Sequence, residues 1–232
     1  MDRKHKLVKI CGLTDPENIK VCAGLKPDLI GLIFYELSPR FVKGNALASW
    51  FRERGNILPE TVRKVGVFVR EDIGEIISRC LDFDLHYIQL HGNETQEYVH
   101  ELLSKLKDNQ LKHIQIIKAF GISESFDFKE TVPFNIFCSH FLFDTKTEMK
   151  GGSGKKFPWS KLDEYRGDIP FILSGGIGPD DLGELEKLSH PAFAGIDLNS
   201  KFEISPGVKD RMLLEDFFCG FNEFRTNSKF LK

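Results

Sequence analysis

The sequence predicts an α/β fold of eight parallel strands joined by crossover segments, on three observations. Short β-branched or apolar runs alternate along the chain with longer stretches at helical spacing. The run Leu29–Phe34 lacks the apolar–polar alternation of a half-exposed sheet, as a strand buried on both faces should. Polar residues and glycines gather just after the apolar runs, where parallel α/β proteins carry their chemistry. The pattern alone suits either a closed (β/α)8 (TIM) barrel or an open doubly wound sheet. No linker-like stretch divides the 232 residues, so one domain over 1–232 is expected, with a tail at 220–232 that frays at its end.

Val8 to Cys11 reads as the first strand. Thr14-Asp15-Pro16 then marks a helix start, since Asp or Thr caps and Pro suits the first turn. Further strands read at Leu29–Phe34, Lys64–Val69, Tyr87–Leu90, Ile114–Ala119, Phe141–Phe143, Phe171–Leu173 and Gly195–Leu198. Helices are expected over Asn45–Arg54, Glu71–Leu81, Glu94–Leu106, Pro179–Leu188 and Asp210–Phe221. The weakest stretch is Ser123 to Phe137, which is Phe-rich and poorly periodic. The 21 phenylalanines read as core and outer-helix packing.

Composition excludes several classes of function. With 41% hydrophobic and 28% charged residues, the chain can bury a core. A formal net charge of −2, with both signs interspersed, gives no footprint for nucleic acid. The longest apolar runs are far short of a membrane span, and the charged Met1–Lys9 segment is not a signal peptide. Five cysteines without Cys-x-x-Cys spacing argue against zinc sites and a disulfide framework, and for a cytoplasmic protein with reduced thiols. Asn93-Glu94-Thr95 then reads as a chance glycosylation match.

The strand ends carry candidate chemistry: Cys11-Gly12-Leu13-Thr14, Ser38-Pro39-Arg40, Gln89-Leu90-His91-Gly92, Asp144-Thr145, Ser174-Gly175-Gly176, and Asp197 before Asn199-Ser200. Glycines in the last loops, with Gly151-Gly152-Ser153-Gly154, suit an anion held by backbone N–H groups. The run at 151–156 is not a nucleotide P-loop. That motif needs a glycine at position 149, which is methionine, and Ser or Thr at position 156, which is lysine.

Together with Lys9-Ile10, Val65-Gly66-Val67-Phe68-Val69 and Pro206-Gly207-Val208-Lys209-Asp210, these motifs resemble phosphoribosylanthranilate isomerases of tryptophan biosynthesis. They run in family order from residue 8 to 210. The resemblance implies the eightfold barrel and an Amadori rearrangement of a phosphorylated aminosugar. It implies neither metal nor organic cofactor, because the protonated imine is its own electron sink. By the same resemblance Cys11 is the general base and Asp144 the general acid. Arg40, His91 and Asp197 hold the substrate, and Gly154, Gly175, Gly176, Asn199 and Ser200 surround its phosphate. A thiolate base needs help from its surroundings, such as Lys9 or nearby N–H dipoles, and an Asp acid needs a raised pKa. Either a monomer or a homodimer fits.

Outside the motif each residue has a plainer reading. A strand-end cysteine is more often buried filler, Asp144 suits a helix cap, and Arg40 suits a surface salt bridge. His91 fits a structural hydrogen bond as well as the site. The chain departs from the family's usual small glycine turn after strand eight, with Lys201-Phe202-Glu203, and carries Lys155-Lys156 after the glycine run. Three rival readings remain. The related histidine-pathway isomerase resembles a two-aspartate site, which Cys11 disfavours. A non-catalytic phosphate-binding barrel predicts loss of the acid or base. A Schiff-base aldolase requires a strand-end lysine, for which Lys118 is the candidate.

Overall fold

The computed structural model describes residues 5–53, 57–145 and 157–227. Eight parallel strands close into a barrel in chain order. They are β1 (Leu7–Cys11), β2 (Leu29–Ile33), β3 (Arg63–Phe68), β4 (Tyr87–Leu90), β5 (Gln115–Ile122), β6 (His140–Thr145), β7 (Phe171–Leu173) and β8 (Phe193–Leu198). Closure is made between β1 and β8, with Lys9 opposite Asp197 and Ile10 opposite Leu198. This resolves the choice between barrel and open sheet, and each of the eight strands lies within a few residues of its expected place.

Alternation along each strand sorts side chains into two layers. A small inner cluster fills the lumen: Cys11, Leu29, Val65, Val67, Ile117, Ala119, Leu142 and Ile172. The outward residues of the same strands, such as Ile10, Leu32, Ile88, Ile116 and Leu198, join the larger core beneath the helices. Lys9, Gln89 and Asp197 fall on the inward parity and are buried all the same, and Ser174 follows β7 on that parity. The upper lumen is therefore polar where a purely structural barrel would be apolar.

The helices start where the sequence provides caps. In α1 (Pro16–Gly24) the Asp15 carboxylate accepts from Asn18 N–H at 2.7 Å, with Pro16 in the first turn. In α3 (Ile73–Phe83) Asp72 accepts from the N–H groups of Gly74 and Glu75, and Asp84 closes the helix in the left-handed conformation. In α4 (Gln96–Asp108) Thr95 Oγ1 accepts from Tyr98 N–H at 3.3 Å. The helix α2 spans Ala46–Glu53. A final helix, Arg211–Asn227, continues through the expected tail, while residues 228–232 lie outside the described set.

Two crossovers, after β5 and after β7, depart from the α-helix usual between barrel strands. The Phe-rich, poorly periodic stretch forms a 3-10 helix, Phe128–Phe134. Its rings pack with those of β5 and β6: Phe128 lies 5.3 Å from Phe143 and Phe134 lies 5.7 Å from Phe120. Aromatic area replaces helix length as the cover for that side of the barrel. The helix expected over Pro179–Leu188 is a 3-10 turn, Pro179–Asp181, followed by the short α5 (Leu182–Leu185). Asp181 folds back to accept from Gly178 N–H at 2.6 Å, and Gly183 weakens the segment as a helix.

Candidate active site

The mouth of the barrel gathers residues from the ends of β1, β4, β6, β7 and β8. Cys11 closes β1, is 3% exposed and points into the lumen. Lys9, two residues earlier on the same face, is fully buried. Its ammonium donates to Asp197 Oδ1 at 2.9 Å and also reaches the Cys11 thiol. Ser174 Oγ donates to Asp197 Oδ2 at 3.2 Å, so both oxygens of this carboxylate are satisfied.

Space for this cluster comes from Gly31 on β2. A Cβ there would come within 2.7 Å of the Cys11 sulfur and 3.1 Å of Lys9 Nζ. A strand-interior glycine often marks such a close approach. Gly31 was not among the expected site residues, and its place inside the run Leu29–Ile33 is the signal that could have found it.

Electrostatics at the thiol pull in two directions. Burial pushes the Cys11 pKa up, Lys9 opposes it, and Asp197 adds to it. For Lys9, burial alone would lower the pKa, but Asp197 and the thiol outweigh it and the amine is held protonated. Lys9 thus stands beside the thiol and works against its rise, which burial still dominates.

Asp144 is the penultimate residue of β6, with Oδ1 accepting from Thr145 N–H at 2.8 Å. Its Oδ2 lies 3.2 Å from His91 Nε2, and His91 Nδ1 lies 2.8 Å from Gln89 Nε2. The Gln89 side-chain amide thus pairs with Nδ1 and leaves Nε2 facing the Asp144 carboxyl. His91 therefore touches the expected acid. Gln89 Oε1 is buried without a hydrogen-bond partner among the described residues.

Asp144, Ser174, Gly175, Gly176, Ile177, Asp197, Asn199 and Ser200 line one cavity of about 140 Å³. Four of the five expected phosphate residues are brought together there, beside the expected acid. The fifth, Gly154, lies with its whole glycine run and Lys155-Lys156 outside the described residues. Gly175 takes a φ of +92°, and a Cβ there would come within 2.7 Å of Asp144 Oδ1. Lys201 is exposed on a 3-10 turn, Ser200–Phe202, next to Gly178.

Arg40 sits over Gly12, but its guanidinium already has a partner. Glu203 accepts from Arg40 Nε at 2.8 Å and from Nη2 at 2.6 Å. Neither Glu203 nor its second partner, Lys209, was assigned a role from sequence. Lys118, the candidate Schiff-base lysine, points away from the lumen on β5 and pairs with Glu94 at 3.2 Å. It cannot reach a substrate in the barrel mouth. Among the described residues there is no group of three or more His, Cys, Asp or Glu side chains placed to hold a metal ion.

Residues 8–219 match the family model described as N-(5'-phosphoribosyl)anthranilate (PRA) isomerase. The chain is 43% identical over 211 residues to N-(5'-phosphoribosyl)anthranilate isomerase of Parabacteroides distasonis, covering 91% of each chain. It is similar to the crystal structure of phosphoribosyl anthranilate isomerase from Thermotoga maritima, with TM-score 0.75, 32% identity, and 94% and 98% of the two chains covered. It is also similar to a phosphoribosyl anthranilate isomerase solved in complex with reduced 1-(o-carboxyphenylamino)-1-deoxyribulose 5-phosphate, with TM-score 0.72, 28% identity and the same coverage. With a closed barrel, the expected acid and base at its mouth, and a family match over nearly its whole length, the chain belongs to the N-(5'-phosphoribosyl)anthranilate isomerase family.

Proposed function

We infer that the chain catalyses the Amadori rearrangement of N-(5-phosphoribosyl)anthranilate to 1-(2-carboxyphenylamino)-1-deoxyribulose 5-phosphate in tryptophan biosynthesis. The observation that carries the residue roles is the arrangement at one barrel mouth of a lysine-assisted thiol and a histidine-bonded carboxyl, flanking a glycine-lined cavity.

The steps follow from these groups. Asp144 gives a proton to the ribose ring oxygen as the C1–O bond breaks, and the anilino nitrogen's lone pair forms C1=N. The Cys11 thiolate then removes the C2 proton. The C2–H electrons form C1=C2, and the iminium nitrogen regains its pair. Tautomerisation of this enol amine puts a proton on C1 and leaves the C2 ketone. Lys9 stabilises the thiolate by charge and hydrogen bond. His91 Nε2–H holds the Asp144 carboxylate once its proton has gone, and Gln89 fixes the imidazole for that task. Gly175, Gly176, Asn199 and Ser200 surround the substrate phosphate, while Arg40 takes the anthranilate carboxylate. All five cysteines are free, which supports a reduced, cytoplasmic setting.

The test is to supply freshly prepared N-(5-phosphoribosyl)anthranilate and follow formation of the ketose. Conversion at an enzymatic rate is expected. Tight sugar-phosphate binding without conversion would instead make this a binding barrel.

A further inference from the structure

We propose that Glu203 is a positioning residue that presents Arg40 to the substrate carboxylate by one edge only. This rests on the reading of Arg40 given above.

The segment that carries Glu203 is anchored firmly. After β8, Phe202 is fully buried and lies 5.1 Å from the ring of Phe217 on the last helix. The chain then forms a small antiparallel hairpin, β9 (Glu203–Ser205) with β10 (Val208–Lys209). This hairpin folds the Glu203 side chain, 5% exposed, against Lys209, whose side chain is fully buried. Lys209 Nζ donates to Glu203 Oε1 at 2.7 Å and to Asn199 Oδ1 at 2.8 Å. Its backbone N–H donates to Asn18 Oδ1, and Asn18 Nδ2 donates to Lys209 O, which ties the hairpin to α1. Gly207 N–H adds a further bond to Glu203 at 3.2 Å.

A guanidinium has two edges able to grip a carboxylate with parallel bonds. Glu203 takes the Nε/Nη2 edge, with Oε2 also 3.1 Å from Nε. The remaining two-nitrogen edge is Nη1 with the second hydrogen of Nη2. Nη1 donates to no group among the described residues. Gly12 lets the arginine stem lie flat against the β1 loop: a Cβ there would come within 2.6 Å of Arg40 Cδ. The stem and one edge are thus fixed, and rotation that would offer the other edge is blocked.

The test compares two substrates: N-(5-phosphoribosyl)anthranilate and its analogue made from aniline, which lacks the carboxylate. Glu203→Gln should lower kcat/KM for the carboxylated substrate about tenfold or more, chiefly through KM, as expected for losing an oriented charge-assisted contact. It should change the aniline analogue less than about twofold. Glu203→Asp keeps the charge but loses reach, so it should show the same selective loss and decides the matter if the Gln variant does not fold. Equal losses on both substrates, or a raised preference for the carboxylated one, would overturn the proposal. If wild type fails to prefer the carboxylated substrate, the Arg40 assignment itself falls. If it converts neither substrate, the proposed function falls.

Discussion

Two buried lysines on strands of this barrel each pair with a carboxylate, and their difference is one of strand parity. Lys9 and Asp197 face the lumen at 2.9 Å, beside the Cys11 thiol. Lys118 and Glu94 face the outer layer at 3.2 Å, where Lys118 also donates to Gly92 O and Ala119 O. Glu94 in turn accepts from the backbone N–H groups of Arg70 and Gly92. The outer pair ties down the loop between β4 and α4. Burial lowers the Lys118 pKa and Glu94 only partly restores it, whereas Lys9 is raised because Asp197 and the thiol outweigh its burial. A lysine–carboxylate pair thus stands beside the proposed base on one face of the strands and ties down a loop on the other.

The largest expected effect comes from the two groups proposed to handle protons. Cys11→Ala or Asp144→Asn should each reduce kcat by about a thousandfold or more, within the usual range for a general acid or base, while circular dichroism stays that of wild type. Near-normal turnover in either variant would remove that residue from the mechanism. Next, the comparison of pairs can be broken by stability. Lys9→Met strands Asp197 with only Ser174 and should cost about 3–5 kcal/mol in denaturant unfolding. Lys118→Met should cost less, about 3 kcal/mol, because Glu94 keeps its backbone donors. If the outer variant cost more than the inner one, the roles given to the backbone donors would be wrong.

Smaller effects sharpen the picture. Gln89→Ala frees the His91 ring, so kcat should fall about tenfold, as for loss of one hydrogen bond to a charged group. A change in KM alone would instead make His91 a substrate contact. The smallest effect concerns acid stability. Burial alone would raise the Glu203 carboxyl, but hydrogen bonds from Arg40 and Lys209 hold it below its ordinary value of 4.5. Its contribution to folding is therefore present above that value and is lost as pH falls through the lower folded pKa. Glu203→Gln should flatten the decline in stability below about pH 4.5. An unchanged acid limb would mean the cluster adds nothing to folding.

Much of this was legible in the sequence because parallel strands bury both faces and so announce themselves as apolar runs. Tyr87–Leu90 and Phe171–Leu173 match to the residue. The strand-end motifs located Cys11, Asp144 and the cavity glycines, since chemistry follows the ends of strands. Parity was harder to read. Lys118 stands between Ile117 and Ala119, both buried in the lumen, and Lys9 stands between Val8 and Ile10, both buried outside it. Each is a charge within an apolar run, and the sequence offers no local sign of which way it points. Glu203 and Lys209 were missed for a different reason. They meet only through a hairpin that three residues of β9 and two of β10 build, too short to leave a periodic trace. The 3-10 segment at Phe128–Phe134 left no periodic trace because its ring packing is a tertiary effect, and the one at Pro179–Asp181 turns on a side-chain bond from Gly178 N–H to Asp181.

The measurement that tests the central contrast most directly is the pH dependence of kcat/KM for Lys9→Met and Lys118→Met side by side with wild type. Removing the inward ammonium should carry the thiol's limb of the profile about one pH unit or more to higher pH. Removing the outward one should leave that limb where it is. Equal shifts in both variants, or none in Lys9→Met, would contradict the claim that the inward pair serves the base.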